Sequence, residues 1–129
     1  MSTHHLPGPH RAAVLGSPIA HSLSPALHRA AYRELGLPWT YDAIEVDVES
    51  LPSFIAGMDT SWAGLSLTMP LKSAIIPLLA EVDKLARDLE SVNTVLPVPG
   101  GWLGTNSDVC GIVQALARQG PAIGPALVL

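Results

Sequence analysis

Two spacings of apolar residues alternate along this chain. Short, nearly continuous apolar runs such as residues 12–15 end at glycine or proline, which is typical of buried strands. Between these runs, apolar residues recur three and four positions apart, as one face of a helix requires. The clearest of these helical sets is Leu51, Phe54, Ile55 and Met58. Strands that alternate with helices predict an α/β fold, a three-layer sandwich with a mainly parallel sheet and helices on both faces.

The same spacings predict where each element lies. Strands are predicted over residues 12–15, 39–46, 62–68, 92–96, 102–105 and 126–129, with a hairpin turn at 97–101. Helices are predicted over residues 24–35, 51–58, 70–80, 83–90 and 109–116. Ser50 is expected to cap the second helix, and Pro77 is expected to kink or stop the third.

The first helix has the clearest end signals. Ser24 and Pro25 suit its N-cap and first turn, and Gly36 suits its end. Its apolar positions at helical spacing are Leu27, Ala31 and Leu35.

Composition limits the class of protein. At 129 residues the chain has the length of one domain with a sizeable core. Hydrophobic residues make up 48% and mean hydropathy is +0.35, yet no apolar run reaches the roughly 18–20 residues that span a bilayer.

Residues 1–10 are predicted to form a disordered tail. No metal site is predicted there, because Pro7, Gly8 and Pro9 oppose a fixed geometry for its histidines.

Charge and cysteine content exclude further classes. A net charge of −4 with seven Lys and Arg residues argues against a nucleic-acid partner, because phosphate binding needs a basic face. Cys110 is the single cysteine, so the chain forms no internal disulfide and a cytoplasmic location is expected. Its apolar neighbours indicate a small buried residue rather than a nucleophile.

Four polar clusters interrupt the apolar pattern at predicted strand ends. In one of them, Ser66 and Thr68 alternate with leucines and therefore share a strand face. Pro70 then begins a helix, so Lys72 lies in its first turn, where a cation is disfavoured by about 0.3–1 kcal/mol. A solvated lysine is the ordinary interpretation. The position at a strand end beside two hydroxyls makes Lys72 a catalytic candidate.

Two other clusters carry hydroxyls and an amide. In the ordinary interpretation Ser24 only caps the first helix. In the functional one Ser22 and Ser24, with the free N–H groups at the helix start, hold a carboxylate, and both roles are compatible. Asn93 and Thr94 are adjacent on a predicted strand, so only one of them should face a shared pocket unless the backbone bulges.

The last cluster supplies an acid. Ser107 and Asp108 match ordinary helix capping. Beside Lys72, however, Asp108 would supply a counter-charge that orients the ammonium group and supports proton transfer. The four clusters together provide an anion site, hydroxyl-binding groups and a lysine–aspartate pair, which suits a small polyhydroxylated carboxylic acid.

In this order, the clusters resemble the substrate-binding domain of shikimate dehydrogenase. The family's G-x-P-I-x-H-S-x-S-P loop is met in full by residues 16–25, and its V-N-T strand by residues 92–94. The N-V-T-x-P-x-K segment corresponds to residues 66–72, and the D-N-T-D-x-x-G loop to residues 105–111. The resemblance covers about residues 11–118.

The resemblance implies a role for each matching residue. Lys72 and Asp108 correspond to the catalytic pair, and Asp108 also to a ligand of a substrate hydroxyl. Substrate-binding positions correspond to Ser22, Ser24, Ser66, Thr68 and Asn93. The family interconverts 3-dehydroshikimate and shikimate with NADP(H), in the biosynthesis of aromatic amino acids.

Three positions depart from the family pattern. Ser66 replaces the usual asparagine and is shorter, so a bridging water is expected between it and a substrate hydroxyl. Thr105 replaces the acidic residue that opens the last loop, and Ser107 replaces the following threonine.

The resemblance also implies a domain that binds the cofactor. The family continues into a Rossmann domain. Residues 127–129 resemble its first strand, so 121–129 are interpreted as the start of a truncated NADP-binding domain and 11–120 as the substrate-binding domain. No G-x-G-x-x-G motif occurs in the sequence. We therefore expect no cofactor-binding residues in this chain, and no NADP binding or turnover by the chain alone.

Several alternatives stay open at this point. The chain could instead prefer quinate, or both acids, since only the pocket around Ser66 and Thr68 would discriminate. A non-catalytic module that binds small hydroxy acids is the alternative from another class, and a remnant without function is a third. As partners of the chain, a separate cofactor domain and a second copy are both compatible with the sequence.

Overall fold

The computed structural model describes residues 8–108, in which strands and helices alternate. The strands are β1 (Arg11–Gly16), β2 (Thr40–Glu45), β3 (Trp62–Leu67), β4 (Glu81–Val82), β5 (Thr94–Val98) and β6 (Gly101–Thr105). The helices are α1 (Ser24–Leu35), α2 (Leu51–Ala56), α3 (Leu71–Ala74) and α4 (Lys84–Leu89), with a 3₁₀ turn at Ile76–Leu78. The predicted helix 109–116, the strand 126–129, Cys110 and the tail before residue 8 lie outside the described residues.

The six strands form one mixed sheet in the order β2-β1-β3-β5-β6-β4. Parallel pairing joins β1 to β2, β1 to β3, and β4 to β6. Antiparallel pairing joins β5 to β3 and to β6. The predicted α/β class is confirmed, and the predicted mainly parallel sheet is confirmed only in part. Both antiparallel pairings involve β5, and its pairing with β6 is the predicted hairpin, which is antiparallel by construction.

Alternate residues of β1 point into two different cores, which places helices on both faces of the sheet. Ala13 and Leu15 belong to the larger core. Its helical members come from α2, α3 and α4 or follow them directly: Leu51, Ile55, Leu71, Ile75 and Ala86. Ala12 and Val14 belong to the smaller core, against which Tyr32 of α1 packs. This arrangement is the predicted three-layer sandwich.

Helix α1 turns a different face to the sheet from the one its leucines predict. Leu27 and Leu35 are 69% and 70% exposed, and Ala31 between them is exposed too. The inward face carries Pro25, which is buried, and Tyr32. The predicted apolar face is therefore wrong, because aromatic packing against the sheet decides the rotation of the helix. Its predicted end is confirmed, since Gly36 adopts a left-handed φ of 67°.

One predicted cap is wrong, and the other is confirmed in position only. Ser24 is the first residue of α1 rather than its N-cap. Ser50 is the N-cap residue of α2 as predicted, but neither serine caps its helix with a side-chain hydrogen bond. The Ser50 hydroxyl donates instead to the Asp47 carboxylate at 2.8 Å. At α4, by contrast, the Asp83 carboxylate accepts from the Ala86 N–H at 2.8 Å.

The predicted helix 70–80 is shorter than its pattern indicates. It ends after Ala74, and a separate 3₁₀ turn contains Pro77. Proline disfavours helical geometry at the preceding residue and lacks an N–H, so the break falls before Pro77. The two-residue strand β4 was not predicted, because it is too short to show a period.

No helix among residues 8–108 is both long and apolar enough to span a bilayer.

Candidate active site

A cavity of about 570 Å³ opens where β1 and β3 end at their carboxyl ends. All seven residues predicted from the sequence as catalytic or substrate-binding line it: Ser22, Ser24, Ser66, Thr68, Lys72, Asn93 and Asp108. They come from four separate stretches of chain, so the sheet topology assembles the site.

The loops after β1 and β3 cross closely at the edge of this cavity. The Ser17 N–H donates to the Met69 carbonyl at 3.1 Å, and the Thr68 N–H donates to the Leu15 carbonyl at 3.0 Å. At Gly16, an added Cβ would collide with the Thr68 side chain and lie 3.0 Å from the Met69 carbonyl oxygen. A residue without a side chain is therefore required where the two loops cross.

Lys72 and Asp108 form an ion pair at the mouth of the cavity. The Lys72 Nζ donates to Asp108 Oδ2 at 2.9 Å, and the two side chains are 36% and 49% exposed. The hydrogen bond from Lys72 lowers the pKa of Asp108; burial opposes this, and a hydrogen bond with Asn93 adds to it. Asp108 is thus a carboxylate at neutral pH, held against an ammonium group that also faces the cavity.

Buried amides fix the loop that carries Asp108. Asn106 is 7% exposed. Its Nδ2 donates to the Ser91 carbonyl at 2.9 Å, and its Oδ1 accepts from the Asp108 N–H at 2.9 Å. The sequence analysis did not select Asn106. The available signal was an asparagine two residues before an acid, where its side chain can bond the following backbone.

Asn93 makes a second connection to the same loop. Its Oδ1 accepts from the Ser107 N–H at 3.1 Å and from Thr94 Oγ1 at 2.9 Å. Both Asn93 and Thr94 line the cavity. The expectation that only one of them would do so is wrong, because Asn93 precedes β5 and escapes strand alternation.

At the start of α1, Ser22 and Ser24 lie together. The Ser22 hydroxyl accepts from the Ser24 N–H at 3.2 Å. His28, one turn further along, places its Nδ1 2.9 Å from the Ser24 carbonyl oxygen and lines the same cavity. The sequence analysis passed over His28, although its spacing from Ser24 puts both on one helix face.

Tyr41 of β2 lies behind the cavity and contacts two of its residues. Its hydroxyl donates to Ser66 Oγ at 3.0 Å. Its ring stacks on His28 with centroids 4.0 Å apart and planes within 8°. Tyr41 is 2% exposed, and the sequence analysis did not connect it with the site.

Comparison with known proteins identifies the family. The model of the shikimate dehydrogenase substrate binding domain matches residues 14–95. The chain belongs to the shikimate dehydrogenase family. It is 45% identical over 120 residues to the shikimate dehydrogenase (NADP(+)) of Thermus thermophilus, covering 92% of this chain and 46% of that enzyme. The resemblance carried by the four motifs is thereby confirmed.

Solved structures of shikimate dehydrogenases share this fold. The Thermus thermophilus enzyme in complex with shikimate superposes with a TM-score of 0.83 at 43% identity, over 90% of this chain and 45% of that one. The Mycobacterium tuberculosis shikimate dehydrogenase gives a TM-score of 0.80 at 46% identity, over 84% of this chain and 42% of that one. The chain therefore spans less than half the length of these relatives, and its residues 14–95 match the family's substrate-binding domain.

Proposed function

We propose that this chain forms the substrate-binding and catalytic part of an enzyme that reduces 3-dehydroshikimate to shikimate with NADPH, reversibly. The observation that carries the proposal is the Lys72–Asp108 ion pair, 2.9 Å long, at the mouth of a cavity lined by hydroxyl groups. Such a cavity provides both charge for a reacting oxygen and partners for a polyhydroxylated acid.

Ser22 and Ser24 would bind the substrate carboxylate. Ser24 is the first residue of the twelve-residue helix α1 and Ser22 lies two residues before it, where backbone N–H groups and the helix dipole favour an anion. The Ser24 N–H is turned toward the Ser22 hydroxyl, which leaves the Ser22 O–H proton available to donate.

Ser66, Thr68 and Asn93 would bind the ring hydroxyls, together with Asp108. All four line the cavity on the side of β3 and β5. The Asn93 amide forms hydrogen bonds with Ser107 through both Oδ1 and Nδ2, so its position is fixed before a ligand binds. Fixed polar groups bind a rigid ring with little loss of conformational entropy.

Lys72 would act as the general acid in the direction of reduction. A carbonyl oxygen that gains negative charge is stabilised by a neighbouring ammonium group, which then gives up a proton to form the product hydroxyl. Asp108 would hold Lys72 in place for this step through the 2.9 Å hydrogen bond.

NADPH supplies the hydride in this reaction when it is bound. Among residues 8–108, no glycine-rich loop leads from a strand into a helix in the way that holds a dinucleotide pyrophosphate. The proposed steps of this part of the chain therefore concern only the substrate and a proton. We propose a separate cofactor-binding domain or a second copy of the chain as its partner, and a cytoplasmic location.

Titration of the 129-residue chain with shikimate, followed by amide NMR, tests the proposal. We expect saturable shifts at Ser22, Ser24, Thr68 and Asp108. Lys72→Ala should weaken binding about tenfold or more, because it removes a charged hydrogen-bond donor from the cavity. Lys84→Ala is the matched control, since Lys84 forms an exposed ion pair with Asp88 elsewhere.

The outcomes separate the alternatives. A folded chain that shows no shifts with shikimate would contradict the assignment of the cavity as a self-sufficient substrate site. Saturable binding that Lys72→Ala leaves unchanged would favour a hydroxy-acid-binding module that lacks catalysis. Stronger binding of quinate than of shikimate would assign the chain to the quinate-specific alternative.

A further inference from the structure

Ser66 lines the cavity where the family pattern has a longer asparagine, and it has a buried partner. The Tyr41 hydroxyl donates to Ser66 Oγ at 3.0 Å across two strands that do not pair with each other, because β1 lies between them. Ser66 lines the cavity, whereas Tyr41 lies behind it with 2% of its surface exposed. A ligand in the cavity would meet Ser66 directly, whereas Tyr41 is not among the lining residues.

The polarity of this hydrogen bond restricts what Ser66 can do. A serine hydroxyl has one proton and two lone pairs. Because the Tyr41 proton occupies a lone pair of Ser66 Oγ, the Ser66 proton is left to point elsewhere, and the cavity is the open direction. Ser66 is then set up as a donor toward an oxygen of a bound ligand.

Other contacts hold the Tyr41 hydroxyl in place. The Tyr41 ring is stacked on His28, whose Nδ1 is bonded to the Ser24 carbonyl. Burial raises the pKa of Tyr41, and the neighbouring hydroxyls of Ser66 and Ser24 partly offset that rise. The phenol therefore stays protonated and remains a donor at neutral pH. It lies between Ser24, which is predicted to bind the substrate carboxylate, and Ser66, which is predicted to bind a ring hydroxyl.

We propose that Tyr41 is a positioning residue that fixes Ser66 as a hydrogen-bond donor to a ring oxygen of the bound hydroxy acid. This inference rests on the proposed function for the identity of the ligand. A serine proton held toward the cavity, rather than shared among rotamers, can be donated to a ring oxygen through the bridging water expected at this short residue.

The first test needs no ligand. NMR couplings between Hα and Hβ report the χ1 rotamer of Ser66, which should be single in the wild type and averaged in Tyr41→Phe. Tyr32→Phe is the matched control, because Tyr32 packs in the same aromatic group but does not line the cavity. An unchanged Ser66 rotamer in a folded Tyr41→Phe variant would overturn the inference.

The second test is a double-mutant cycle on the dissociation constant for shikimate. Tyr41→Phe should raise Kd about 3- to 10-fold in the wild-type background, the effect of one net hydrogen bond. In a Ser66→Ala background its effect should be clearly smaller, because the Ser66 hydroxyl is gone and only the Ser24 hydroxyl remains beside Tyr41. Additive effects would indicate a general structural role and overturn the inference.

Failure of the proposed function gives a different result from failure of this inference. If the folded wild type does not bind shikimate, the proposed identity of the ligand is wrong. The rotamer measurement still decides whether Tyr41 orients Ser66.

Discussion

The Lys72 ammonium group lies 2.9 Å from the Asp108 carboxylate although 36 residues separate them in the chain. The contact exists because β3 and β6 are held on either side of β5 in one sheet. Lys72 follows β3 and Asp108 follows β6, and both loops leave the sheet toward the same cavity. The pair is therefore a product of strand order, with no local sequence preference behind it.

The charge state of Asp108 gives a prediction about pH. Its pKa is lowered chiefly by the hydrogen bond from Lys72. A carboxyl whose pKa is lower in the folded state stabilises that state above its unfolded pKa, and this stabilisation is lost as pH falls through the folded value. We expect the ion pair to persist from neutral pH past the ordinary carboxyl pKa of 3.8, and to be lost only as pH falls through the lower pKa of folded Asp108.

A carboxyl-detected NMR titration measures this directly. The Asp108 midpoint should lie below the ordinary value of 3.8 in the wild type and rise in Lys72→Ala. An Asp108 midpoint that stays low without Lys72 would show that Lys72 is not the cause.

Gly16→Ala should destabilise the chain and disturb the site together. The added methyl group would collide with Thr68 where the two loops cross, and overpacking of this kind costs about 1–3 kcal/mol. Urea unfolding measures the loss. Gly57→Ala is the matched control: its methyl group would meet only ordinary contacts at 3.5 and 3.6 Å. Equal stability of the two variants would contradict the close crossing.

Asn106→Ala should weaken both folding and shikimate binding. The buried amide satisfies the Ser91 carbonyl and the Asp108 N–H, and an unsatisfied buried group costs about 1–3 kcal/mol. Asp83→Ala provides the comparison, because it removes the α4 cap, which costs about 1 kcal/mol, outside the cavity. If both variants bind shikimate as the wild type does, Asn106 does not position Asp108.

The outward face of α1 should tolerate polar residues. Leu27 is 69% exposed, so Leu27→Gln should change the free energy of unfolding by less than about 0.5 kcal/mol. Ile55→Ala, in the larger core, should cost about 2–5 kcal/mol. Thermal or urea unfolding of the two variants measures the contrast. A large loss from Leu27→Gln would mean that this face is covered in the folded chain.

The sequence predicts most elements of this fold because their signals are local. The β1 and β3 runs, the Gly36 helix end and the β5–β6 hairpin each depend on neighbouring residues. The rotation of α1 does not, because it is decided by the packing of Tyr32 against the sheet. The short strand β4 pairs with β6 through only two residues, so its existence depends on that neighbour.

The residues of the candidate site likewise fall into those that the sequence predicts and those that only the packed structure reveals. The motifs select Lys72 and Asp108, and the sheet brings them together. Asn106 and Tyr41 act through other residues, and an asparagine in a loop or a tyrosine in a strand has many ordinary uses. Their contribution becomes visible only when their hydrogen bonds to Asp108 and Ser66 can be measured.

The long sequence separation within the Lys72–Asp108 pair also bears on the order of folding. Contacts between distant residues close large loops and form late, after local hairpins and helices. Lys72 and Asp108 can meet only once the β5–β6 hairpin has docked on β3. The ion pair thus reports completed folding: a collapsed intermediate with native helices would still lack the one contact on which the proposed chemistry depends.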